Sequence, residues 1–232
     1  MMLKILYTYI FFCLFIGKGY SQENTSFENI TNDSLVLVNN YPEGVYRTLD
    51  DFLNKNVIFL GNAIERRQMI GFDNNVIERN IEANQVFFYN NKNNSKITNY
   101  FAISYNGNLY IQQRQIQKFA SKKDKNQEGD NPNSYHRVLK DGKFLYLEVP
   151  FANGWSKAFA YGSGGAVGGV IGASLNSLKA VVFDINKKEF VFMRKCEDLK
   201  ILMEKYNADD FKCDDKNIEI LFVRENIDRI IK

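Results

Sequence analysis

Few side chains in this sequence have the types and spacings that catalysis demands. His136 is the only histidine. A metal site built from several histidines, or a His-x-Glu zinc signature, therefore cannot form within one chain. A Ser-His-Asp or Cys-His arrangement would have to use His136, yet no Gly-x-Ser-x-Gly elbow stands ready to present a nucleophile. Its place at the foot of a predicted strand, beside a polar loop, argues for a surface histidine. Asp209-Asp210 and Asp214-Asp215 bring carboxylates together, but without the alternating ligands and central glycine of an EF-hand they read as a solvated acidic turn. A glycosidase-like carboxylate pair stays open, because its separation is set by the fold and not by sequence spacing. No catalytic residue, metal ligand or cofactor is assigned. A small hydrolase working through carboxylates, with or without His136, remains the alternative to a non-catalytic protein.

Association is better represented. From Ala158 to Leu178 no residue is charged, and Gly164, Gly168 and Gly172 recur every fourth position. On a helix that spacing makes a smooth groove that admits another backbone. A phosphate loop does not fit, since Val167 stands where a Gly-x-Gly-x-x-Gly pattern needs glycine and no Gly-Lys-Ser/Thr follows. Three uses of 162–172 stay open: a small-residue crossover packed for its own sake, an association groove for self-association or membrane-surface contact, and a cradle for a ligand. Cys196 and Cys213 are the cysteine pair that would remain in an exported chain. They are either a disulfide, in an oxidising compartment, or two separate thiols.

The elements that must position these residues begin with a leader. Lys4, the apolar run Ile5 to Ile16 and the small residues of Gly17-Lys18-Gly19-Tyr20-Ser21 have the layout of an export signal over 1–21, with cleavage after Ser21. An uncleaved N-terminal anchor is the rival, disfavoured by the shortness of the run. The chain is then exported, whether to the periplasm, the outer membrane or the medium. Removing Lys4 and Lys18 lowers the net charge from +3 to +1, and Cys13 leaves with them. A near-neutral domain has no electrostatic footprint for nucleic acid, so that partner is excluded while others stay unknown. Residues 22–40 are polar and Asn-rich except for Leu35 to Val38, a flexible lead-in to a single domain over 41–232.

Within that domain, Asn106-Gly107 joins Tyr100 to Tyr105 and Asn108 to Gln112 in the strongest hairpin. Asp141-Gly142 repeats the device between Arg137 to Lys140 and Lys143 to Val149, with Pro150 ending the second strand. Ala180 to Ile185 and Glu189 to Lys195 make a third hairpin, and Gln85 to Tyr89 and Trp155 to Tyr161 are further strands. Ser121 to Asn133 is polar and predicts an exposed loop. Helical spacing follows at Glu197 to Tyr206 and at Ile218 to Ile231. The fold class is α+β: antiparallel hairpins in a twisted sheet or partial barrel, a short N-terminal helix, and C-terminal helices.

The short helix begins at the most informative local pattern. Pro42 and Gly44 make a turn, Thr48 is an N-cap with Asp51 three residues on, and Leu49, Phe52 and Leu53 form an apolar face. Pro42, Gly44, Tyr46, Thr48, Asp51 and Phe52 together resemble the opening of a family of uncharacterised secreted proteins from Bacteroidota. Asn106 to Tyr110 and the strands and helices after Val181 fit the same pattern. The resemblance implies export and a single domain of unknown function, and carries no activity or catalytic residue with it. The expectation is a non-catalytic binding or association module of the cell envelope.

Overall fold

The computed structural model describes residues 41–70, 76–79, 83–163, 177–208, 211–213 and 218–231, all within one unit, Val36–Lys232. The export signal 1–21, the lead-in 22–40, Gly164, Gly168 and Gly172, and the aspartate pairs at 209–210 and 214–215 lie outside the described residues. Among the described residues there are eleven strands: β1 (Gly44–Tyr46), β2 (Ile64–Ile70), β3 (Val76–Arg79), β4 (Gln85–Asn90), β5 (Ala102–Tyr105), β6 (Asn108–Gln112), β7 (Gln127–Glu128), β8 (Tyr135–Asp141), β9 (Leu145–Asn153), β10 (Ser177–Asp184) and β11 (Glu189–Met193). Five helices accompany them: α1 (Leu49–Leu53), α2 (Gln113–Lys118), α3 (Gly154–Ser163), α4 (Cys196–Lys205) and α5 (Ile220–Ile230). The protein is α+β, an antiparallel twisted sheet that does not close, with one short helix near its start and two after its last strand.

Local chemistry sets the turns. Asn106 and Gly107 take φ of 49° and 74°, the left-handed pair that a type I′ turn needs, and Tyr105 faces Asn108 across it. Thr48 Oγ1 accepts from the Asp51 N–H at 3.0 Å while the Asp51 carboxylate accepts from the Thr48 N–H at 3.0 Å. This reciprocal box starts α1. Gly44 is the first residue of β1, not a turn residue. Its φ is 137°, and a Cβ there would lie 2.6 Å from the Ile58 carbonyl oxygen, so only glycine lets the 57–58 backbone cross so closely.

β8 is the corner of the sheet. Tyr135 and His136 pair with β4 and, with Arg137, with β6, whereas Val138 to Asp141 pair with β9 across an irregularity between Val138 and Lys140. One arm therefore runs β1-β5-β6-β8-β4-β2-β3, and the other continues from β8 through β9 and β10 to β11, with β7 on the end of β9. The arms share a core. Ala102, Leu109 and Ile111 meet Leu147, Val181, Phe183, Phe190 and Phe192 under α1 and α2. The opposite face of β9 and β10 carries Tyr146, Ala180 and Val182 against Leu199, Met203, Val223 and Ile227 of α4 and α5. The opposite face of β5 and β6 carries Ile103 and Tyr110 against Val86, Phe88 and Tyr135. Strands buried on both faces have nearly continuous apolar runs, as in Leu145 to Val149.

Three expectations are corrected. Trp155 to Tyr161 is not a strand but the body of α3: the Asn153 side chain accepts from the Trp155 N–H at 2.9 Å, an N-cap that turns the chain helical as β9 ends. Pro150 does not end β9. It faces Leu178 of β10 and falls between the stretches of β9 that pair with β8 and with β7, so no N–H is asked of it on that edge. The stretch from Ser121 to Asn133 is not simply exposed. Ser121, Asp124 and Gln127 are buried, and Gln127 pairs with Asn153.

Candidate functional site

His136 is wholly buried, which corrects its expected place on the surface. β8 carries it between Gln85 of β4 and Ile111 of β6. Its Nε2 lies 3.1 Å from Gln113 Oε1 and 3.4 Å from Ser134 Oγ, a geometry that suits the neutral tautomer with its proton on Nε2. Ser134 Oγ in turn donates to the Asn131 carbonyl at 2.8 Å and accepts from Gln85 Nε2 at 3.1 Å. No carboxylate is among these partners. A buried imidazole without a counter-charge is costly to protonate, and burial pushes its pKa down to about 3. Such a group holds the 131–134 segment against α2, and it is neither oriented nor charged for nucleophilic catalysis.

The most enclosed carboxylates are committed as well. Glu148 takes a two-pronged contact from Arg224 of α5, Nε to Oε1 and Nη2 to Oε2, each 2.9 Å, and Tyr146 Oη donates to Oε1 at 2.7 Å. Burial, and then the Glu148 charge, raise the Tyr146 pKa. Asp124 accepts from Ser121 Oγ at 2.7 Å and from the Phe192 N–H at 3.1 Å, and its other oxygen lies 3.1 Å from Arg194 Nη2. These contacts fasten α5 and the 121–125 turn to the sheet. Among the described residues there is no group of three or more His, Cys, Asp or Glu side chains placed to hold a metal ion.

Cys196 and Cys213 come together. Their Cα atoms are 5.8 Å apart and their sulfurs are joined, linking the first residue of α4 to the segment ahead of α5. Gly164, Gly168 and Gly172 lie outside the described residues.

What the sequence reading missed is the surface that leads into that glycine segment. Gly154 is held by its N–H to the Asn126 carbonyl at 2.7 Å, next to the β7–β9 pairing, and α3 springs from this point. Trp155 is 80% exposed and Phe159 is 77% exposed. At a spacing of four they share one helix face. Ser156 and Ala158 between them are exposed too. Leu178 (40% exposed) is the second residue of β10, opposite Pro150 and one register position from Phe151, at the same end of the β9–β10 ladder. Lys179 stands beside it, its ammonium donating to the Phe151 carbonyl, and burial lowers its pKa. A signal was there to find: an Asn-Gly start and large aromatics four apart. Among the described residues no helix is long and apolar enough to cross a membrane.

No curated protein and no solved structure matches the chain. A family model matches residues 44–212, from β1 through α4, taking in Gly44, Tyr46, Thr48, Asp51, Phe52 and the whole of α3. With well over half of its length matched, the chain belongs to the Family of unknown function (DUF6563).

Proposed function

We propose that this is an exported, non-catalytic module of the cell envelope that contacts a membrane surface through α3. The observation that carries the reading is Trp155 at 80% exposure, on a helix whose neighbouring Ser156, Ala158 and Phe159 are exposed as well. Soluble domains bury their large aromatics, and tryptophan left in water marks an interface where one side is apolar. A short helix lying flat in the headgroup region binds through such side chains. The run from Ala158 to Leu178 supports it, since it carries no charge that would have to be desolvated. The leader-like layout of 1–21, and the likeness to secreted Bacteroidota proteins through Pro42 to Phe52, support an exported compartment. The hydrolase reading has less support, because His136 and Glu148 are buried in contacts that hold the fold.

Trp155 is the sole tryptophan, so its fluorescence reports the surface directly. The chain from Gln22 is titrated with vesicles of phosphatidylethanolamine and phosphatidylglycerol, following emission and co-sedimentation. A blue shift with co-sedimentation is expected. A Trp155→Ala/Phe159→Ala double variant with unchanged circular dichroism is expected to partition about tenfold or more weakly, since each large apolar side chain contributes roughly 1.5–3 kcal/mol on burial. Unchanged emission and no co-sedimentation would sink the membrane reading. A blue shift that tracks protein concentration without lipid would assign α3 to self-association instead. Recovery of the native protein in the cytoplasm with Met1 intact would overturn export.

A further inference from the structure

A second surface lies at the opposite end of the chain's strand order, where the arm that begins at β1 should stop and does not. β1 pairs with β5 on one side. On its other side Val45 and Ile58 exchange both backbone hydrogen bonds, each 2.9 Å. In an antiparallel ladder the residues flanking such a pair turn their N–H and C=O groups away. Val57 and Phe59 therefore aim one donor and one acceptor each outward, with no partner among the described residues. Natural sheets blunt such edges with charge, proline or a covering loop. Here the edge is apolar instead: Ile58 is 40% exposed and Phe59 is 73% exposed.

Alongside it runs an open groove of about 480 Å³, lined by Arg47, Asp51, Lys55, Asn56, Val57 and Ile58. The carboxylate of Asp51 is engaged by the Thr48 cap. Arg47 is exposed and has no ion-pair partner among the described residues, while the Lys55 ammonium sits 5.7 Å over the Tyr41 ring, also without a carboxylate. Free donors and acceptors, apolar side chains for alternate residues, and two cations at the flank make a docking edge of one kind.

We propose that Asn56–Leu60 receives an extended peptide segment of a partner protein by strand addition, with acidic side chains of that segment meeting Arg47 and Lys55. Two probes separate this from a generic sticky edge: an acetylated, amidated heptapeptide alternating valine with glutamate, and its valine–lysine counterpart. Each is titrated into the mature chain while amide hydrogen exchange is followed at Val57 and Phe59. The acidic peptide is expected to bind saturably, to slow exchange at both amides, and to bind at least about tenfold more tightly than the basic one. Phe59→Pro removes an outward N–H without touching the Val45–Ile58 bonds and is expected to weaken binding about tenfold or more. Arg47→Glu/Lys55→Glu, with its fold checked by circular dichroism, is expected to reverse the charge preference. Equal binding of the two peptides, absence of saturable binding, or a Phe59→Pro variant that binds normally would each overturn the proposal. So would exchange protection at 57 and 59 that rises with protein concentration alone, which would give the edge to a second copy. None of these outcomes depends on α3, so this edge and the membrane surface stand or fall separately.

Discussion

At the scale of single residues, burial without a counter-charge turns His136 into a pH-dependent strut. The unfolded imidazole takes up a proton near its ordinary pKa of about 6.5, and the folded one does so only near pH 3. Protonation therefore favours the unfolded chain: the stabilisation is complete above about pH 6.5 and is lost as pH falls toward about 3, at up to about 1.4 kcal/mol per pH unit. Urea midpoints are expected to hold steady above neutrality and to fall between about pH 6 and pH 4, with His136→Gln flattening that slope. Equal slopes in the two proteins would show that His136 is not responsible. Asp184 and Asp198 act lower on the scale. Burial raises both, but hydrogen bonds from Lys205 to Asp184 and from Lys123 to Asp198, together with backbone N–H groups, hold them below the usual carboxylate range. Their stabilisation is lost only as pH falls below about 4. Glu148 makes a different demand. Arg224→Ala would leave a buried carboxylate without its cation, and a loss of about 3–5 kcal/mol in denaturant unfolding is expected. A change under about 1 kcal/mol would mean that water reaches Glu148.

At the scale of elements, the capping box of α1 is the clearest link between a local pattern and its structure. Thr48→Ala is expected to cost about 1 kcal/mol, read as a shift in urea midpoint at constant slope, and no loss would show that the tertiary contacts of Phe52 suffice. Patterns whose cause is local were legible in this way. Thr48 with Asp51, Asn106-Gly107, and the helical spacing of Leu199, Leu202 and Met203 all depend on residues within one turn of each other. The features that were missed depend on distant partners. His136 looks like a surface residue until Gln113 and Ser134 close over it. Ser121 to Asn133 looks like a solvated loop until Asp124 reaches the Phe192 N–H and Gln127 pairs with Asn153. β1 is three residues long and starts with a glycine, so nothing local marks it; Ile58 and Ser104 make it a strand. Trp155 to Tyr161 was misread for a smaller reason. Aromatic residues interleaved with alanine imitate a strand, and the single Asn153 side chain decides for the helix.

At the scale of the molecule, the α+β class and the open sheet follow from the hairpins, but the corner at β8 does not, because one strand there serves two arms. That corner buries most of β9 and β10 on both faces, and the most exposed large apolar side chains are Trp155 and Phe159 of α3 and Phe59, followed by Ile201 of α4 and Leu221 of α5. Surface, not interior, is therefore where association has to be sought. The Cys196–Cys213 link has a consequence of its own. It closes a ring around α4, and a protease that cut anywhere between those two residues would leave a single covalent molecule. Such a nick would be invisible on a non-reducing gel and would appear as two fragments once the sample is reduced. A cut between Met203 and Cys213 would leave Leu199 and Met203 on one side of the break and Val223 and Ile227 on the other, with both halves of the C-terminal cluster still held in one particle.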